Sequence, residues 1–239
     1  MRAADLLRYT TWAAVAVTAE RNRKEYGVPT AWLTHLLGNT VTLFLPDLFR
    51  LAASCSPAWE PGHPTLRALF RTVDRRAHHD PNYAAYVAPL ALGFILSHPD
   101  YSIYHGRWAE RTVAGFGADS VPHAATAYAF TRLMSQSITT LRDELPDESE
   151  LAPAVKWAAH HVDELACLAM LLLTLAWETS EYLAHVAELE KTGLEPHEIN
   201  MQWSLPDAIT DSFSNLLGML AAIVVRRRAV LQTRRPAPA

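Results

Sequence analysis

The chain has 239 residues, of which 50% are hydrophobic and 19% are charged, and its formal net charge at pH 7 is −4. This length allows one large domain or two small ones. The slightly acidic balance gives no reason to expect nucleic acid binding, so composition leaves a membrane protein or a metal-binding protein open.

Apolar segments of helical length follow one another along the chain, and no run of Val, Ile and Thr alternates with polar residues. Prolines stand at or near the starts of several segments, where a first-turn proline costs little. We therefore predict a single all-α domain over residues 1–239, without strands. The predicted helices cover residues 4–19, 30–54, 83–98, 121–141, 155–183 and 207–225.

The last two apolar segments are the best candidates for crossing a membrane, which takes about 20 mostly apolar residues. Residues 165–177 are apolar apart from Thr174, but this run is short. Residues 209–225 come closer to the required length, because their polar side chains are confined to the first two turns. By hydropathy alone, a soluble helical bundle stays an open alternative.

The placement of the arginines favours the membrane interpretation. Three consecutive arginines, at 226–228, directly follow the last apolar segment. Under the positive-inside rule they predict a cytoplasmic C-terminus with a basic tail over residues 226–239. Counting helices backwards places the arginine-rich stretch 67–76 inside as well. We therefore predict an inner-membrane bundle of five or six transmembrane helices, in which residues 4–19 either span the membrane or lie in its interface.

Acidic side chains cluster at the facing ends of the last two segments. Glu178 and Glu181 are three residues apart, and Asp207 and Asp211 are four apart, so each pair lies on one face of its helix. Ionisable groups at membrane depth normally face the protein interior and mark a site. In the predicted topology all four carboxylates fall at the outer ends of their helices.

Histidines accompany these carboxylates at the same level. Asp119 precedes His123 by four residues and is predicted to orient it, and His98 and His105 follow the segment 83–98. Mixed oxygen and nitrogen ligands suit a divalent metal ion. The predicted metal ligands are His98, His105, Asp119, His123, Glu178, Glu181, Asp207 and Asp211. The carboxylates predicted to act as catalytic acid and base groups are Glu178, Glu181, Asp207 and Asp211.

A purely structural interpretation of the same residues stays open. The carboxylates could be paired with Arg107, Arg111 or Arg132, or with Trp and Tyr donors, as a packing network. Asp207 is also placed to cap a helix. Two other polar stretches are interpreted as scaffold. The His-His-Asp sequence at 78–80 is interpreted as a solvated loop, and His160 and His161 as part of an interfacial helix face.

The order and spacing of three acidic motifs resemble those of a known family, over roughly residues 83–225. The motifs are Asp119-x-x-x-His123, Trp177-Glu178-x-x-Glu181-Tyr182, and Asp207-x-x-x-Asp211 followed by Asn215 and Gly218. They are similar to motifs of the YjdF-like bacterial membrane proteins, and the last is similar also to the VanZ-like proteins. Pro122 and Thr126 stand where the family pattern has Gly and Gln. The resemblance implies a polytopic inner-membrane protein and no particular reaction.

Together these features predict a membrane protein with an acidic and histidine-containing site near the outer leaflet. The leading hypothesis is a metal-assisted enzyme, or a binder, acting on a lipid-linked or envelope-associated substrate. A membrane transporter or channel is the second hypothesis, and a soluble helical metal-carboxylate protein is the third. The implied cofactor is a divalent metal ion of unspecified identity, and the implied partners are the lipid bilayer and that substrate.

Overall fold

A computed structural model of the chain describes residues 3–27, 29–55, 62–104, 108, 111–113, 115–192 and 203–233. The structure is 83% helical, which confirms the predicted all-α class. The α-helices among the described residues are α1 (Ala3–Tyr26), α2 (Leu33–Cys55), α3 (Pro64–Asp74), α4 (Tyr83–Ile95), α5 (Ser120–Glu144), α6 (Ala152–His160), α7 (Val162–Thr192) and α8 (Leu205–Thr233). A 3₁₀ turn (Pro29–Ala31) precedes α2, and a π-helix (Arg75–His79) follows α3.

A short hairpin contradicts the prediction that the chain has no strands. Strand β1 (Thr112–Val113) pairs antiparallel with β2 (Phe116–Gly117). Gly115 lies in the turn with a φ of 87°, a conformation that glycine adopts without steric cost. Strands of two residues are too short to show an alternating pattern, so no periodicity indicated them.

Helix α3 lies where the sequence analysis assigned no element. Pro64 occupies its first turn, where proline is well tolerated. Leu66, Leu69, Phe70 and Val73 repeat at helical spacing between the arginines of this stretch, and that period was the signal that could have revealed the helix. The π-helix continues α3 as far as His79, so the solvated loop predicted at 78–80 is wrong for its two histidines.

The predicted helix 155–183 is two helices. Helices α6 and α7 meet at an angle of 86°. His161 lies between them with φ −102° and ψ 32°, outside the helical region. His160 and His161 therefore stand at the elbow between α6 and α7 instead of on one continuous helix face, as the sequence had predicted.

Among the described residues, one helix is both long and apolar enough to cross a membrane on its own, the stretch Leu205–Leu231 of α8. The bent pair formed by Ala152–His160 and Val162–Ala187 would be a second crossing if it is counted as one broken span. Helix α4 is apolar but shorter. Helix length and composition thus establish one or two candidate spans, fewer than the five or six predicted.

Helix α8 packs along α5 more extensively than any other pair of elements in the described structure. A Cβ atom placed on Gly218 would lie 2.0 Å from the carbonyl oxygen of Ala124. The two backbones therefore approach to a distance that a glycine permits and a side chain would prevent. The apolar residues buried around this contact are Ala127, Met170, Met219 and Ile223.

Helices α7 and α8 are antiparallel neighbours joined by an ion-pair clamp. At the start of α7, Asp163 accepts hydrogen bonds from Nε of Arg226 at 2.8 Å and from Nε of Arg227 at 2.7 Å. Glu178 and Asp211 each lie 15 residues from this clamp, which is about 22 Å along a helix. Glu178 and the start of α8 therefore stand at one level, away from the arginines. Helix α7 continues to Thr192, so Glu178 and Glu181 lie near its middle and not at its end as predicted.

Candidate metal-binding site

Three aspartates, Asp119, Asp207 and Asp211, come together near the starts of α5 and α8. Asp119 directly precedes α5, and Asp207 and Asp211 lie in the first two turns of α8. One carboxylate oxygen from each aspartate lies within 4.8 Å of the other two. Three carboxylate oxygens at this spacing suit a hard divalent ion such as Mg²⁺ or Mn²⁺.

The start of α8 positions two of these aspartates. The Asp207 N–H donates a hydrogen bond of 3.3 Å to the Ser204 hydroxyl, which is the usual contact of a helix-capping serine. The capping role considered for Asp207 therefore belongs to Ser204. The Asp207 carboxylate joins the aspartate group, and Asp211 follows one turn later on the same face.

The hairpin positions the third aspartate. A Cβ atom on Gly117 would lie 2.5 Å from Oδ1 of Asp119, so the carboxylate occupies the space that this glycine leaves open. The ring of Phe116 lies 5.8 Å from the ring of Phe213 on α8. The hairpin is thereby attached to α8, which explains how a loop residue reaches the aspartates of that helix.

His123 adjoins the group from the first turn of α5. Its Nε2 lies 3.2 Å from Oδ2 of Asp211, and the two side chains are 16% and 6% exposed. Asn215 also contacts this imidazole and donates a hydrogen bond of 3.2 Å to Thr174. The structure thus pairs His123 with Asp211, while Asp119, predicted to orient the histidine, contributes its carboxylate to the aspartate group.

Several acidic oxygens here are buried without a hydrogen bond. Within the described structure these include both carboxylate oxygens of Glu178 and Oδ1 of Asp211. The indole of Trp203 lies near Glu178, but its Nε1 also makes no hydrogen bond of normal geometry. Buried polar atoms without partners are costly. A bound cation would satisfy such oxygens.

Glu181 borders the same group. It lies in electrostatic range of Glu178, Asp207 and Asp119. The structure therefore brings together five carboxylates and one imidazole of the predicted set. The three aspartates form the ligand group, and the two glutamates stand beside it.

Sequence reasoning missed Tyr104 as a neighbour of this group. Burial, and after it the negative charges of Asp119, Asp211 and Glu181, raise the pKa of its phenol. The phenol therefore stays protonated at neutral pH and can donate a hydrogen bond. Gly93 on α4 gives it room, because a Cβ there would lie 3.1 Å from the phenol oxygen. The position of Tyr104 after the segment 83–98 was the only signal in the sequence.

The other two predicted histidines do not join the aspartate group in the described structure. His105 lies outside the described residues. His98 is buried, but its ring stacks on Tyr101 at 4.5 Å. Its Nδ1 accepts a hydrogen bond of 3.2 Å from the N–H of Asp100. His98 is therefore engaged within the turn that follows α4.

Arg132, considered as a partner for the carboxylates, is engaged elsewhere. Its guanidinium lies 5.9 Å from the centre of the Tyr86 ring, and its Nε is buried without a hydrogen bond. Its described contact is thus with Tyr86 of α4. Arg111 lies over the Trp108 ring at 4.6 Å, and Arg107 lies outside the described residues. Arg132 does not balance the charge of the aspartates.

Comparisons with protein-family models, with curated proteins and with solved structures find no match for this chain. The candidate site is therefore defined by its geometry, which is that of three converging aspartates with His123 beside them.

Proposed function

We propose that this protein is an integral membrane protein that binds a divalent metal ion at Asp119, Asp207 and Asp211, and that it acts on a lipid-linked or envelope-associated substrate. The observation that carries this proposal is the convergence of three carboxylates at the starts of α5 and α8, where Asp211 is buried, Asp119 is half-buried and Asp207 is exposed. Oδ1 of Asp211 and both carboxylate oxygens of Glu178, from the middle of α7, are buried without a hydrogen bond. A metal ion held there would polarise a phosphoryl or carbonyl oxygen, or activate a water molecule. Glu178 and Glu181 would serve as the acid and base groups.

The outer surface of α7 and α8 supports placement in a membrane. Only 39% of the most apolar 18-residue stretch of α8 is buried, whereas the core helix of a soluble protein is mostly buried. This argues against the soluble metal-carboxylate protein, because exposed apolar surface of this extent normally contacts lipid or a partner. The exposed side chains include Leu168, Leu171, Leu172, Leu173, Leu175, Leu183, Ile209, Phe213, Leu216, Leu217, Leu220, Val224 and Val225.

The length of α8 supports a site near the outer surface. Asp207 lies 19 residues before Arg226, or about 28 Å along the helix, and the hydrocarbon core is about 30 Å thick. With Arg226 at the inner surface, Asp207 lies near the outer boundary and Asp211 one turn deeper. The cytoplasmic C-terminus, the five or six spans and membership of the YjdF-like family belong to this same proposal.

A transporter or channel is the second candidate, and helix α5 favours it. Polar side chains continue along this helix well beyond the aspartates, since Thr131, Ser135 and Thr140 are buried. Gln136 donates a hydrogen bond of 2.8 Å to the Tyr86 hydroxyl of α4. Polar groups inside a membrane bundle often mark an ion pathway. Metal-ion flux into proteoliposomes would support the transporter, and turnover of a lipid-linked substrate without flux would support the enzyme.

Fusion proteins test the membrane placement. A C-terminal alkaline phosphatase fusion should be inactive, and a C-terminal fluorescent protein fusion should be bright, because the arginines at 226–228 hold this end in the cytoplasm. The opposite pattern would place the aspartates on the inner side. Recovery of the protein in the soluble fraction would overturn the membrane proposal altogether.

Metal analysis tests the site itself. The purified protein should contain a divalent ion, and a chelator should lower its free energy of unfolding by about 2.7 kcal/mol when the free metal stands at 100 times its dissociation constant. Asp211→Asn should abolish binding of Mg²⁺ and Mn²⁺ and the effect of the chelator on protein loaded with these ions. Asp143→Asn, at a side chain that is 48% exposed, is the matched control and should change neither. Protein that binds neither Mg²⁺ nor Mn²⁺ would contradict the proposal.

A further inference from the structure

A second group of potential metal ligands lies where α3 passes into the π-helix. It consists of Asp74, His78 and His79, and one ligand atom from each lies within 4.8 Å of the other two. Arg75, beside this group, forms an ion pair of 2.7 Å with Glu144 at the end of α5. Glu144 lies 25 residues after Asp119, about 37 Å along the helix, so the two groups stand at opposite ends of α5.

The π-helix explains why these three side chains meet. In an α-helix the residue four positions after Asp74 lies above it, but the residue five positions after it points away. The π-turn Arg75–His79 closes its hydrogen bonds over five residues instead of four. The wider turn brings both His78 and His79 towards the Asp74 carboxylate. Such π-turns are rare and occur frequently at functional sites.

Each histidine lies about as far from one oxygen of the Asp74 carboxylate as two ligands of a tetrahedral ion lie from each other. Nδ1 of His78 lies 3.3 Å from Oδ1 of Asp74, and Nε2 of His79 lies 3.3 Å from Oδ2 of the same carboxylate. Two ligand atoms bound about 2.0 Å from a tetrahedral zinc ion are separated by about 3.3 Å. A small movement of the side chains would therefore let all three coordinate one ion.

The group is accessible from solvent. The His79 side chain is 63% exposed, and those of Asp74 and His78 are 31% and 23% exposed. His79 also lines an open depression of about 320 Å³, together with Arg76, Asn82 and Gln136. An ion can therefore enter without unfolding of the helix, and its remaining coordination position can be filled by water or by a small anion.

We propose that Asp74, His78 and His79 form a second metal site, and that this site takes borderline divalent ions such as Zn²⁺, Co²⁺ and Ni²⁺. Imidazole nitrogens favour these ions, whereas Mg²⁺ and Mn²⁺ favour carboxylate oxygens. The two groups of the molecule thus differ in selectivity, with nitrogen-rich ligands at one end of α5 and oxygen-rich ligands at the other. The second site does not depend on the function proposed for the first.

Titration of the full-length protein in detergent with Co²⁺ and Zn²⁺, in the presence of excess Mg²⁺, tests this site. The parent protein should bind one equivalent of Co²⁺ with the visible absorption of a low-coordinate, nitrogen-ligated ion, and Zn²⁺ should displace it. His79→Ala should weaken binding about tenfold or more, since loss of even an outer partner of a ligand costs tenfold or more. Because His79 is exposed, this substitution should leave the helical circular dichroism unchanged.

The controls separate this site from other histidines and from the aspartate group. His63→Ala removes an exposed histidine just before α3 and should leave Co²⁺ binding intact. Asp211→Asn should also leave the Co²⁺ absorption intact, whereas Asp74→Asn should weaken it. Equal affinity in His79→Ala and His63→Ala, or loss of the signal in Asp211→Asn, would overturn the proposal.

Discussion

Two clusters of charged side chains, one between α1 and α2 and the other between α5 and α8, differ in how their charges are balanced. In the first, Arg8 is 2% exposed and donates hydrogen bonds of 2.7 Å to Asp47 and 2.8 Å to Asp5, and a further one to the Leu43 carbonyl. Arg50 forms ion pairs with the same two carboxylates. Two arginines thus neutralise two aspartates.

The second cluster has no such balance in the described structure. Asp119, Asp207 and Asp211 converge, with His123 beside Asp211, and Glu178 adds two buried oxygens without hydrogen bonds. A scaffold of buried charge is stable when each charge has an opposite partner. The binding role proposed for the second cluster therefore rests on its imbalance of charge, more than on the burial of its charges.

The largest loss of stability is expected when one of the arginines that neutralise the first cluster is replaced. Arg8→Met leaves Asp5 and Asp47 buried beside a single arginine, and breaking a buried pair in this way costs about 3–5 kcal/mol. The free energy of unfolding, measured by denaturant titration in detergent, should fall accordingly. Arg21→Met removes an exposed ion pair with Asp100 and should cost less than about 1 kcal/mol. Equal effects of the two substitutions would contradict the stabilising role of the charge network around Arg8.

The second prediction concerns the contact that assembles the aspartate cluster. Gly218→Ala places a Cβ against the Ala124 carbonyl. Such overpacking should lower the free energy of unfolding by about 1–3 kcal/mol. It should also weaken metal binding, because α5 and α8 are pushed apart. Gly38→Ala is the control, since a Cβ there meets nothing within 4 Å. That substitution should be neutral or stabilising by about 0.4–1 kcal/mol.

A smaller effect is expected for Asn215→Ala beside the aspartates. The amide joins α8 to Thr174 of α7, and hydrogen bonds between membrane helices contribute about 0.6 kcal/mol on average. The melting temperature in detergent should fall slightly. Asn39→Ala, which loses only a bond to the His35 carbonyl within its own helix, should change it less. A larger fall in Asn39→Ala would contradict the interhelical role of Asn215.

The smallest change in stability is expected from neutralising the second cluster itself. In metal-free protein, Asp211→Asn and Glu181→Gln should leave the melting temperature unchanged or raise it, because they relieve repulsion among carboxylates, as is common at functional sites. Binding of Mg²⁺ and Mn²⁺ should be lost in Asp211→Asn. If both variants melt well below the parent with chelator present, the carboxylates are structural, and the second cluster resembles the first.

Local spacing explains which parts of the site could be predicted from the sequence. Glu178 with Glu181 and Asp207 with Asp211 are pairs at helical intervals, so one helix suffices to place each pair on a face. The antiparallel order of α7 and α8 then brings the pairs to one level. The ligand geometry was not predictable in this way, because the reach of Asp119 depends on a hairpin of two-residue strands.

Contacts between distant residues explain what the sequence could not reveal. Arg8 and Asp47 are 39 residues apart, and nothing in the spacing of either residue indicates that they meet. The bend at His161 and the π-turn after Asp74 were also missed, because each adds or redirects a single residue within a pattern that still reads as helical. Both irregularities involve histidines that the sequence analysis had interpreted as scaffold.

The elbow between α6 and α7 has a consequence for the thickness of the surrounding bilayer. In the proposed orientation α7 crosses the membrane, so α6, at 86° to it, lies along the inner surface, where the exposed Trp157 is a typical interfacial anchor. Glu178 then stands 17 residues from His161, about 25 Å above that surface. The helix sets this distance, so it does not change with the thickness of the bilayer. Longer acyl chains would bury the carboxylates beneath the outer headgroups, and shorter chains would expose them, so the lipid itself would regulate access to the metal.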